Sequence, residues 1–304
     1  MSVFSKQQDC ECCVTSKTGF ASPKELQDIV IGLDSDTQYS SISKDKLYDG
    51  PENYIRLQQD DGNNPVIAIL NKIQTGNKQL AEIANVNQGI VSGADKVSDR
   101  HITKYSIAAN KDDGIFVFNN QNVNDINTLK KFLLSSEKDL IKPFFKNSDV
   151  HRFYTEEQCN NYIVYLDRHH TLKTDSAIYE HLLTFEPVLR ARREVLNGVI
   201  SFYQLQWPRE MSIFNGPKIV APQRSARNTF GYNEIPWYAS ADVYFITSPK
   251  QDYSLKYILG LLNSKLYYFW LYHKGKRKGE TLELYQKHLS EIAIKHVSEL
   301  DMKT

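Results

Sequence analysis

The chain has 304 residues and a mass of 35.1 kDa, which predicts one large domain or two interleaved lobes with a sizeable core. Hydrophobic residues make up 41% and charged residues 24%, proportions that exclude a largely disordered chain. The 37 Lys and Arg residues nearly balance the 36 Asp and Glu residues. The resulting net charge of +1 excludes a uniformly basic protein of the histone type but allows a local basic surface.

The cysteines and the apolar runs favour a cytoplasmic chain. Three of the four cysteines, Cys10, Cys12 and Cys13, lie too close together to form a disulfide framework. They also lack the spacing and the fourth ligand of a zinc site, so we predict no bound metal. No stretch reaches the ~20 apolar residues that cross a bilayer, and the start lacks the pattern of a signal peptide. We therefore expect no membrane partner.

The first fifty residues are rich in Ser, Asp, Lys and Thr, and they predict a lead-in or linker segment, 1–52, ahead of a domain over 53–304. Within the lead-in, Ser22-Pro23-Lys24-Glu25 is a helix start signal. After a cluster of turn residues, apolar side chains recur at helical spacing from Val66 to Ile73, which predicts a short helix.

Strands and helices alternate through the rest of the sequence. Runs of β-branched and aromatic residues predict strands at Leu80–Val91, Ile115–Phe118, Tyr162–Leu166, Lys218–Ala221 and Val243–Ile246. Apolar spacing predicts four helices, at Thr128–Phe145, Ile178–Leu196, Leu255–Tyr272 and Thr281–Lys295. Pro143 is expected to stop the first helix and Pro187 to break the second. A terminal strand is predicted with the last helix. No internal repeat occurs. The expected class is α+β, with mixed sheets, packed helices and a helical C-terminal part.

Common catalytic signatures are absent from the sequence. There is no G-x-G-x-x-G, G-x-x-x-x-G-K-[ST], H-E-x-x-H or G-x-S-x-G pattern. Asp167, His169 and His170 follow a predicted strand, where they would form either a solvated corner or the site of a metal-dependent nuclease. The nuclease is therefore retained as an alternative function.

Positive charge is concentrated between Pro187 and Lys278, where 14 Lys and Arg residues face five Asp and Glu residues. The main contributors are Arg190, Arg192 and Arg193 in one predicted helix, Arg224 and Arg227 after a strand, and Lys274, Lys276, Arg277 and Lys278 in a glycine-flanked loop. Such cations suit the phosphates of a polyanion. Three tyrosines of the Leu255–Tyr272 helix, Tyr267, Tyr268 and Tyr272, are interpreted as packing groups and not as site residues.

Four stretches carry a resemblance to a known family. Asn87–Lys96 (Asn-Gln-Gly-Ile-Val-Ser-Gly-Ala-Asp-Lys) and Ile141–Arg152 (Ile-Lys-Pro-Phe-Phe, then Asp-Val-His-Arg) come first. Pro217–Val220 (Pro-Lys-Ile-Val) and Ile258–Leu266 (Ile-Leu-Gly-Leu-Leu-Asn-Ser-Lys-Leu) follow. In this order, they resemble the target-recognition region of the TaqI-like adenine-specific DNA methyltransferases, including fused restriction-modification enzymes. The resemblance extends over about residues 53 to 295.

The resemblance implies a module that holds double-stranded DNA and reads its sequence. A separate catalytic domain or subunit of the methyltransferase or endonuclease would bind S-adenosylmethionine and methylate a flipped adenine. The family's catalytic Asn-Pro-Pro-[Tyr/Phe] motif does not occur here, so the implied role is non-catalytic by itself and no cofactor is expected in this chain. The sequence leaves open whether the chain is part of a larger enzyme or a separate specificity subunit.

The resemblance and the local charge together predict the DNA contacts. They are Gln88, Gly89, Ser92, Gly93, Lys96, His151, Arg152, Arg224, Arg227, Lys274, Lys276, Arg277 and Lys278. The segment from Gln88 to Lys96 is predicted to be a loop that approaches the grooves of the duplex. A third possibility is a scaffold whose aromatic and basic surface docks a protein.

Overall fold

The structure is a computed structural model that describes residues 12–17, 21–43, 48–49, 54–55, 65–250 and 252–296. Cys10, from the predicted cysteine cluster, lies outside the described residues. The chain divides into two compact units, Met1–Lys72 and Ile73–Thr304. The functional boundary between a lead-in of residues 1–52 and a recognition domain over 53–304 stays a prediction.

The first unit is built from short paired strands and one capped helix. Its elements are β1 (Cys12–Ser16), α1 (Pro23–Val30), β2 (Gln38–Ile42), β3 (Tyr48–Asp49) and β4 (Tyr54–Ile55), followed by α2 (Pro65–Gln74), which contains the point of division. Strands β1 and β2 pair antiparallel, as do β3 and β4. Helix α1 starts as predicted, because the Ser22 and Glu25 side chains each accept the other residue's main-chain N–H.

The second unit alternates strands and helices, which confirms the α+β class. Its elements are β5 (Lys78–Gln79), α3 (Leu80–Ile83), β6 (Asn85–Gln88), α4 (Asp99–Tyr105), β7 (Val117–Asn119), α5 (Val123–Leu134), β8 (Ile141–Phe145), β9 (Asn161–Val164), α6 (Ala177–Leu183), α7 (Glu186–Arg190), α8 (Arg193–Leu196), β10 (Lys218–Pro222), β11 (Arg224–Ser225), β12 (Gly231–Asn233), β13 (Tyr238–Ala239), β14 (Val243–Thr247), α9 (Leu255–Leu262), α10 (Lys265–His273), β15 (Lys276–Lys278), β16 (Thr281–Glu283), α11 (Gln286–Ser290) and β17 (Ala293–Ile294).

Two four-stranded sheets form the centre of this unit. One has the order β12-β10-β14-β6 and is antiparallel throughout. The other has the order β13-β8-β9-β7, in which only the β13–β8 pair is parallel. A smaller antiparallel sheet, β11-β16-β15, lies near the C-terminus of the chain, and β5 pairs with β17. The sheets are therefore mixed, as expected.

Aromatic rings connect the two central sheets. Phe145 of β8 stacks on Trp237 with ring centroids 4.6 Å apart, and Trp237 contacts Phe245 of β14 at 6.1 Å. Phe214 packs edge-on against Phe245 at 5.2 Å. All four rings are buried, and burying each stabilises the fold by roughly 1.5–3 kcal/mol. This cluster holds strands from both sheets in one core.

The predicted strand from Leu80 to Val91 is wrong at its start. Leu80–Ile83 form the helical turn α3, and only Asn85–Gln88 enter the sheet as β6. The carboxylate of Glu82 accepts the main-chain N–H of Gln79 at 2.6 Å, which caps the turn. Leu80 and Ile83, three residues apart, are both buried, so the apolar run serves a helix and not a strand.

The helix predicted from Thr128 to Phe145 is confirmed as far as Leu134, but both of its predicted ends are wrong. Helix α5 starts earlier, because the Asn122 side chain caps the N–H groups of Asn124 and Asp125, and it ends at Leu134. Residues Ile141–Phe145 form strand β8 instead. Strand β13 pairs only with Phe144 and Phe145, so Pro143 occupies a part of β8 that has a partner strand on one side only.

The long helix predicted from Leu255 to Tyr272 is two helices, α9 and α10. Asn263 separates them: it is buried, its side-chain NH2 donates to the Phe230 carbonyl at 2.8 Å, and its side-chain oxygen accepts the Phe230 N–H at 3.1 Å. Ser264 then caps α10 by accepting the N–H of Tyr267 at 3.2 Å. The apolar spacing continues across this break, which is why the sequence pattern does not show it.

The predicted break at Pro187 is confirmed, since the Ile178–Leu196 run forms α6, α7 and α8. As a consequence, the basic cluster predicted on one helix is divided, and Arg192 lies between α7 and α8. Its guanidinium is buried and donates to the carbonyls of Leu189 at 3.1 Å, Ser92 at 2.9 Å and Phe202. Burial lowers the pKa of Arg192 to about 10. Arg192 therefore supports the fold and adds no charge to the surface.

Lys218 is a second cation placed in the interior. It begins strand β10, is fully buried, and donates from Nζ to the carbonyls of Gly216 and Ile235, both at 2.7 Å. Desolvation lowers the pKa of Lys218 to about 8. Among the residues that the structure describes, no carboxylate pairs with it. Part of the local positive charge counted in the sequence is therefore structural.

Replacing Asn263 by Ala should lower the free energy of unfolding by about 2–3 kcal/mol, because the buried N–H of Phe230 loses its acceptor. Urea denaturation followed by tryptophan fluorescence measures the change. Exposed Asn197 is the control, and its replacement by Ala should cost less than about 0.5 kcal/mol. Equal losses in the two variants would contradict the structural role of Asn263.

The stability of the protein should depend on pH through Lys218. Its pKa is about 8 in the folded state against the ordinary 10.5, so the folded state loses the proton first as the pH rises. Below pH 8 both states are protonated and the burial cost is fully present, whereas between pH 8 and 10.5 native stability gains. The melting temperature of wild type should therefore rise relative to that of Lys218→Met across this window. A difference between the two proteins that does not change with pH would contradict the assignment.

Candidate functional site

An open cavity of about 710 Å³ lies beside helix α10. Side chains from three segments line it: the turn that follows β8, the residues after β11, and one face of α10. We call it the basic–aromatic groove, and its lining residues are Arg152, Arg227, Asn228, Lys265, Tyr268, Phe269, Tyr272 and His273. It combines cations with aromatic rings.

Helix α10 supplies most of the groove lining, because one of its faces is turned towards the groove. Lys265, Tyr268 and Tyr272 recur at spacings of three and four and therefore share one face. Tyr267 is buried on the opposite face, where its hydroxyl donates to the Ala293 carbonyl at 2.7 Å. The interpretation of the tyrosines as packing groups is confirmed for Tyr267. Tyr268 and Tyr272 are half-buried in the groove wall, and their role stays a prediction.

A network of buried hydrogen bonds joins the three segments of the groove. The Asn228 side chain donates to the carbonyls of Leu262 at 2.6 Å and Ser264 at 2.9 Å, across the break between α9 and α10. The guanidinium of Arg152 donates to the carbonyl of Asn263. These bonds bring Arg152 and neighbouring Arg227 to the same opening as α10, although 75 positions separate them in sequence.

Several cations at the groove are exposed. Arg227 and Lys265 both reach solvent, and within the described part of the chain neither forms an ion pair. The guanidinium of Arg277 lies 3.7 Å from the ring centroid of Tyr272, a cation–π contact that extends the positive charge towards β15. The pKa of His273 is lowered by burial and by the charge of Arg277. The groove therefore presents positive charge beside aromatic faces.

The basic stretch Lys276–Lys278 was expected to be a loop, and it is strand β15. It forms a hairpin with β16, and the turn passes through Gly279 at φ +60°. Glu283 of β16, only 5% exposed, accepts from Arg224 at 3.2 Å and from Lys276 at 3.1 Å, and hydrogen bonding from Lys276 lowers its pKa. Two of the predicted DNA contacts thus share one carboxylate.

The remaining predicted cations of this region lie on or beside the β11-β16-β15 sheet. Lys278 is exposed at the end of β15 and, in the described ranges, has no acidic partner. Lys274 caps the end of α10, where its main-chain N–H donates to the Trp270 carbonyl at 2.7 Å. The strand pairing β11-β16-β15 brings Arg224 next to this group. The predicted C-terminal set is therefore contiguous.

His151 and Arg152 lie in a tight turn between Val150 and Thr155, which form a β-bridge. His151 is held by Glu156, whose carboxylate lies 2.8 Å from Nε2. Arg152 is exposed and points to the groove. Of these two predicted residues, Arg152 is the one that lines the cavity.

The segment from Gln88 to Lys96 is tied into the interior. Ser92 is buried, its hydroxyl donates to Asp95, and its carbonyl accepts from Arg192. Gln88 donates to the Ala241 carbonyl at 2.8 Å. Lys96 lies 3.8 Å from the buried carboxylate of Asp125. None of these residues lines the groove, so the structure does not bring this segment together with the C-terminal cations at that cavity.

The two glycines of this segment allow backbone geometries that other residues rarely adopt. Gly93 has φ +84°, the left-handed region that favours glycine. Gly89 packs against the protein's own main chain, where a Cβ atom would lie 2.2 Å from the Ser240 carbonyl oxygen. Gly89 therefore allows a close approach to the main chain of Ala239 and Ser240.

The acid–histidine cluster after β9 forms a closed local network. Nδ1 of His170 lies 2.6 Å from the Asp167 carboxylate, which also accepts the His169 N–H at 2.9 Å. Burial acts to raise the pKa of Asp167, but these hydrogen bonds lower it overall. Across the described residues, no group of three or more His, Cys, Asp or Glu side chains is arranged to hold a metal ion. The nuclease alternative stays a prediction.

Within the same residues, no helix is both long and apolar enough to cross a membrane.

The chain is similar to three known proteins. The type II methyltransferase M.MjaIV of Methanocaldococcus jannaschii is 26% identical over 228 residues, covering 71% of this chain and 66% of that protein. Among solved structures, the type IIL restriction-modification enzyme MmeI in complex with DNA has a TM-score of 0.47 and 13% identity, covering 94% of this chain and 31% of that one. The type IIG restriction endonuclease BpuSI has a TM-score of 0.45 and 11% identity, with coverages of 95% and 34%. The chain thus spans less than two thirds of the length of each.

A family model described as the TaqI-like C-terminal specificity domain matches residues 142–294, half of the chain. The matched region contains every residue that lines the basic–aromatic groove and the hairpin of β15 and β16. It also contains three of the four stretches that carry the resemblance, in whole or in large part. The resemblance is confirmed, and the chain belongs to the family of the TaqI-like C-terminal specificity domain.

Proposed function

We propose that this chain is the target-recognition part of an adenine-specific DNA methyltransferase or restriction-modification enzyme. It binds double-stranded DNA and does not catalyse the reaction by itself. The observation that carries the proposal is the convergence of Arg152, Arg227 and Lys265 on a groove walled by Tyr268 and Tyr272. Cations supply contacts to phosphates, and arginine also hydrogen-bonds to guanine edges in the major groove.

The cations around the groove have different roles in this proposal. Arg227, Lys265 and Lys278 carry charges that no carboxylate among the described residues offsets, so they make the strongest phosphate contacts. Arg224 and Lys276 share Glu283, which leaves one net positive charge and fixes both side chains on the strand surface. Lys274 and Arg277 complete the positive strip beside the groove.

The segment from Gln88 to Lys96 contributes through its accessible members. Gly93 is exposed and Lys96 is partly exposed, whereas Ser92 is buried. We propose that Gly93 and Lys96 approach the duplex, while Gln88, Gly89 and Ser92 hold the segment in place. His151 stacks on Tyr154 in the same turn as Arg152.

The methyl-transfer chemistry is assigned to another part of the enzyme. We propose that a separate catalytic domain or subunit binds S-adenosylmethionine and acts on the flipped adenine, and that this part is the chain's protein partner. We also propose a cytoplasmic location, which the spacing of the cysteines favours. A scaffold that docks a protein through the same surface is distinguished by a lack of salt-sensitive DNA binding.

The first test is fluorescence-anisotropy binding to a pool of random-sequence duplexes at several salt concentrations, followed by sequencing of the bound fraction. An enriched motif would identify the recognised site. The double variant Arg227→Ala, Lys265→Ala should weaken binding to all duplexes and reduce the slope of log K against log salt concentration by about 0.9 for each lost phosphate contact.

Lys130→Ala is the matched control, because Lys130 is equally exposed on α5 and lies outside the groove. Its slope should equal that of wild type. A wild-type chain that binds no duplex even at low salt would overturn the proposed function. If the double variant has the wild-type slope, the groove is not part of the DNA interface.

A further inference from the structure

Two large aromatic side chains lie next to each other on the surface, in the turn His151–Tyr154, which we call the aromatic turn. Phe153 is 49% exposed and Tyr154 is 57% exposed. The turn connects Val150 and Thr155, which form an antiparallel bridge. Adjacent exposed aromatic rings offer a flat apolar surface to a binding partner.

The backbone of the aromatic turn is strained and tightly held. Phe153 has φ +78°, a left-handed conformation that side chains other than glycine rarely adopt. Its N–H donates to the Phe230 carbonyl at 2.8 Å, and the His151 N–H donates to the Tyr154 carbonyl at 3.0 Å. Gly231 permits the close approach, since a Cβ atom there would lie 2.5 Å from the Tyr154 carbonyl oxygen. The surrounding structure therefore imposes a conformation that presents the Phe153 ring to solvent.

One cation lies beside the exposed rings. The guanidinium of Arg152 lies 5.0 Å from the ring centroid of Phe153, and Arg152 also lines the basic–aromatic groove. The imidazole of His151 stacks on Tyr154 at 4.8 Å with an interplanar angle of 24°. The rings thus stand at the rim of the groove, next to a cation placed to contact a phosphate.

From this geometry we infer that the aromatic turn stacks on a nucleobase that is unpaired or unstacked in the bound DNA, with Phe153 as the principal stacking side chain. This inference rests on the proposed function. Every base offers a flat face to an aromatic ring, and apolar side chains also enter between base pairs that are partly unstacked. The cation beside the rings favours a nucleic acid over an apolar protein surface as the occupant.

The test compares two short duplexes that differ only in a single bulged 2-aminopurine. Wild type should bind the bulged duplex about tenfold more tightly than the fully paired one and should quench the 2-aminopurine fluorescence. Phe153→Gly should abolish both effects while keeping the affinity for the paired duplex and its salt dependence. Because glycine favours a positive φ, this variant should not have a lower melting temperature, so a loss of the preference cannot be ascribed to unfolding.

Two further variants complete the design. Phe153→Tyr keeps an aromatic face and should retain the preference for the bulge. Leu134→Ala removes an 89% exposed apolar side chain from α5, away from the groove lining, and should behave as wild type.

The outcomes separate the two proposals. If wild type binds both duplexes with equal, salt-dependent affinity, the stacking role of the aromatic turn is overturned and the proposed function is left intact. A Phe153→Gly variant that keeps the preference would also overturn it. Failure of wild type to bind either duplex would overturn both.

Discussion

The basic–aromatic groove depends on one buried polar contact, the pairing of the Asn263 side chain with both main-chain groups of Phe230. Asn263 stands between α9 and α10, so this contact ends one apolar helix and allows Ser264 to start the next. The Phe230 carbonyl also accepts the N–H of Phe153. The same small set of bonds therefore positions the helix face that walls the groove and the aromatic turn at its rim. Buried polar groups are costly when unpaired, which makes this arrangement highly specific.

Burial, and not composition, decides which cations of this protein reach the surface. Arg192 and Lys218 are placed in the interior, where they satisfy main-chain carbonyls and have lowered pKa values. Arg227 and Lys265 remain at the surface, where an anion can reach them. A net charge of +1 is thus compatible with a strongly positive groove, because the acidic residues that balance it lie largely elsewhere in the sequence. In the proposed function, this local surface provides the long-range attraction of DNA.

Local signals in the sequence were reliable where one short segment decides its own structure. The Ser22–Glu25 cap and the break at Pro187 are examples, because capping and proline chemistry act within a few residues. The strand at β8 and the division between α9 and α10 could not be read in this way. Pro143 is tolerated only because of how β13 pairs, and Asn263 breaks a helix only because Phe230 lies opposite. Both depend on partners that are distant in the sequence.

The sequence by itself determined the α+β class through periodicity and the family through ordered motifs. Its local charge also pointed to most of the cations that lie at or near the groove. The tertiary structure decided which of those residues act together. It placed Arg152 beside Arg227, buried Arg192, and turned Tyr268 and Tyr272 to the groove while Tyr267 entered the core. The physical reason is that a side chain's solvent exposure and partners are set by long-range hydrogen bonds and packing, which no local pattern records.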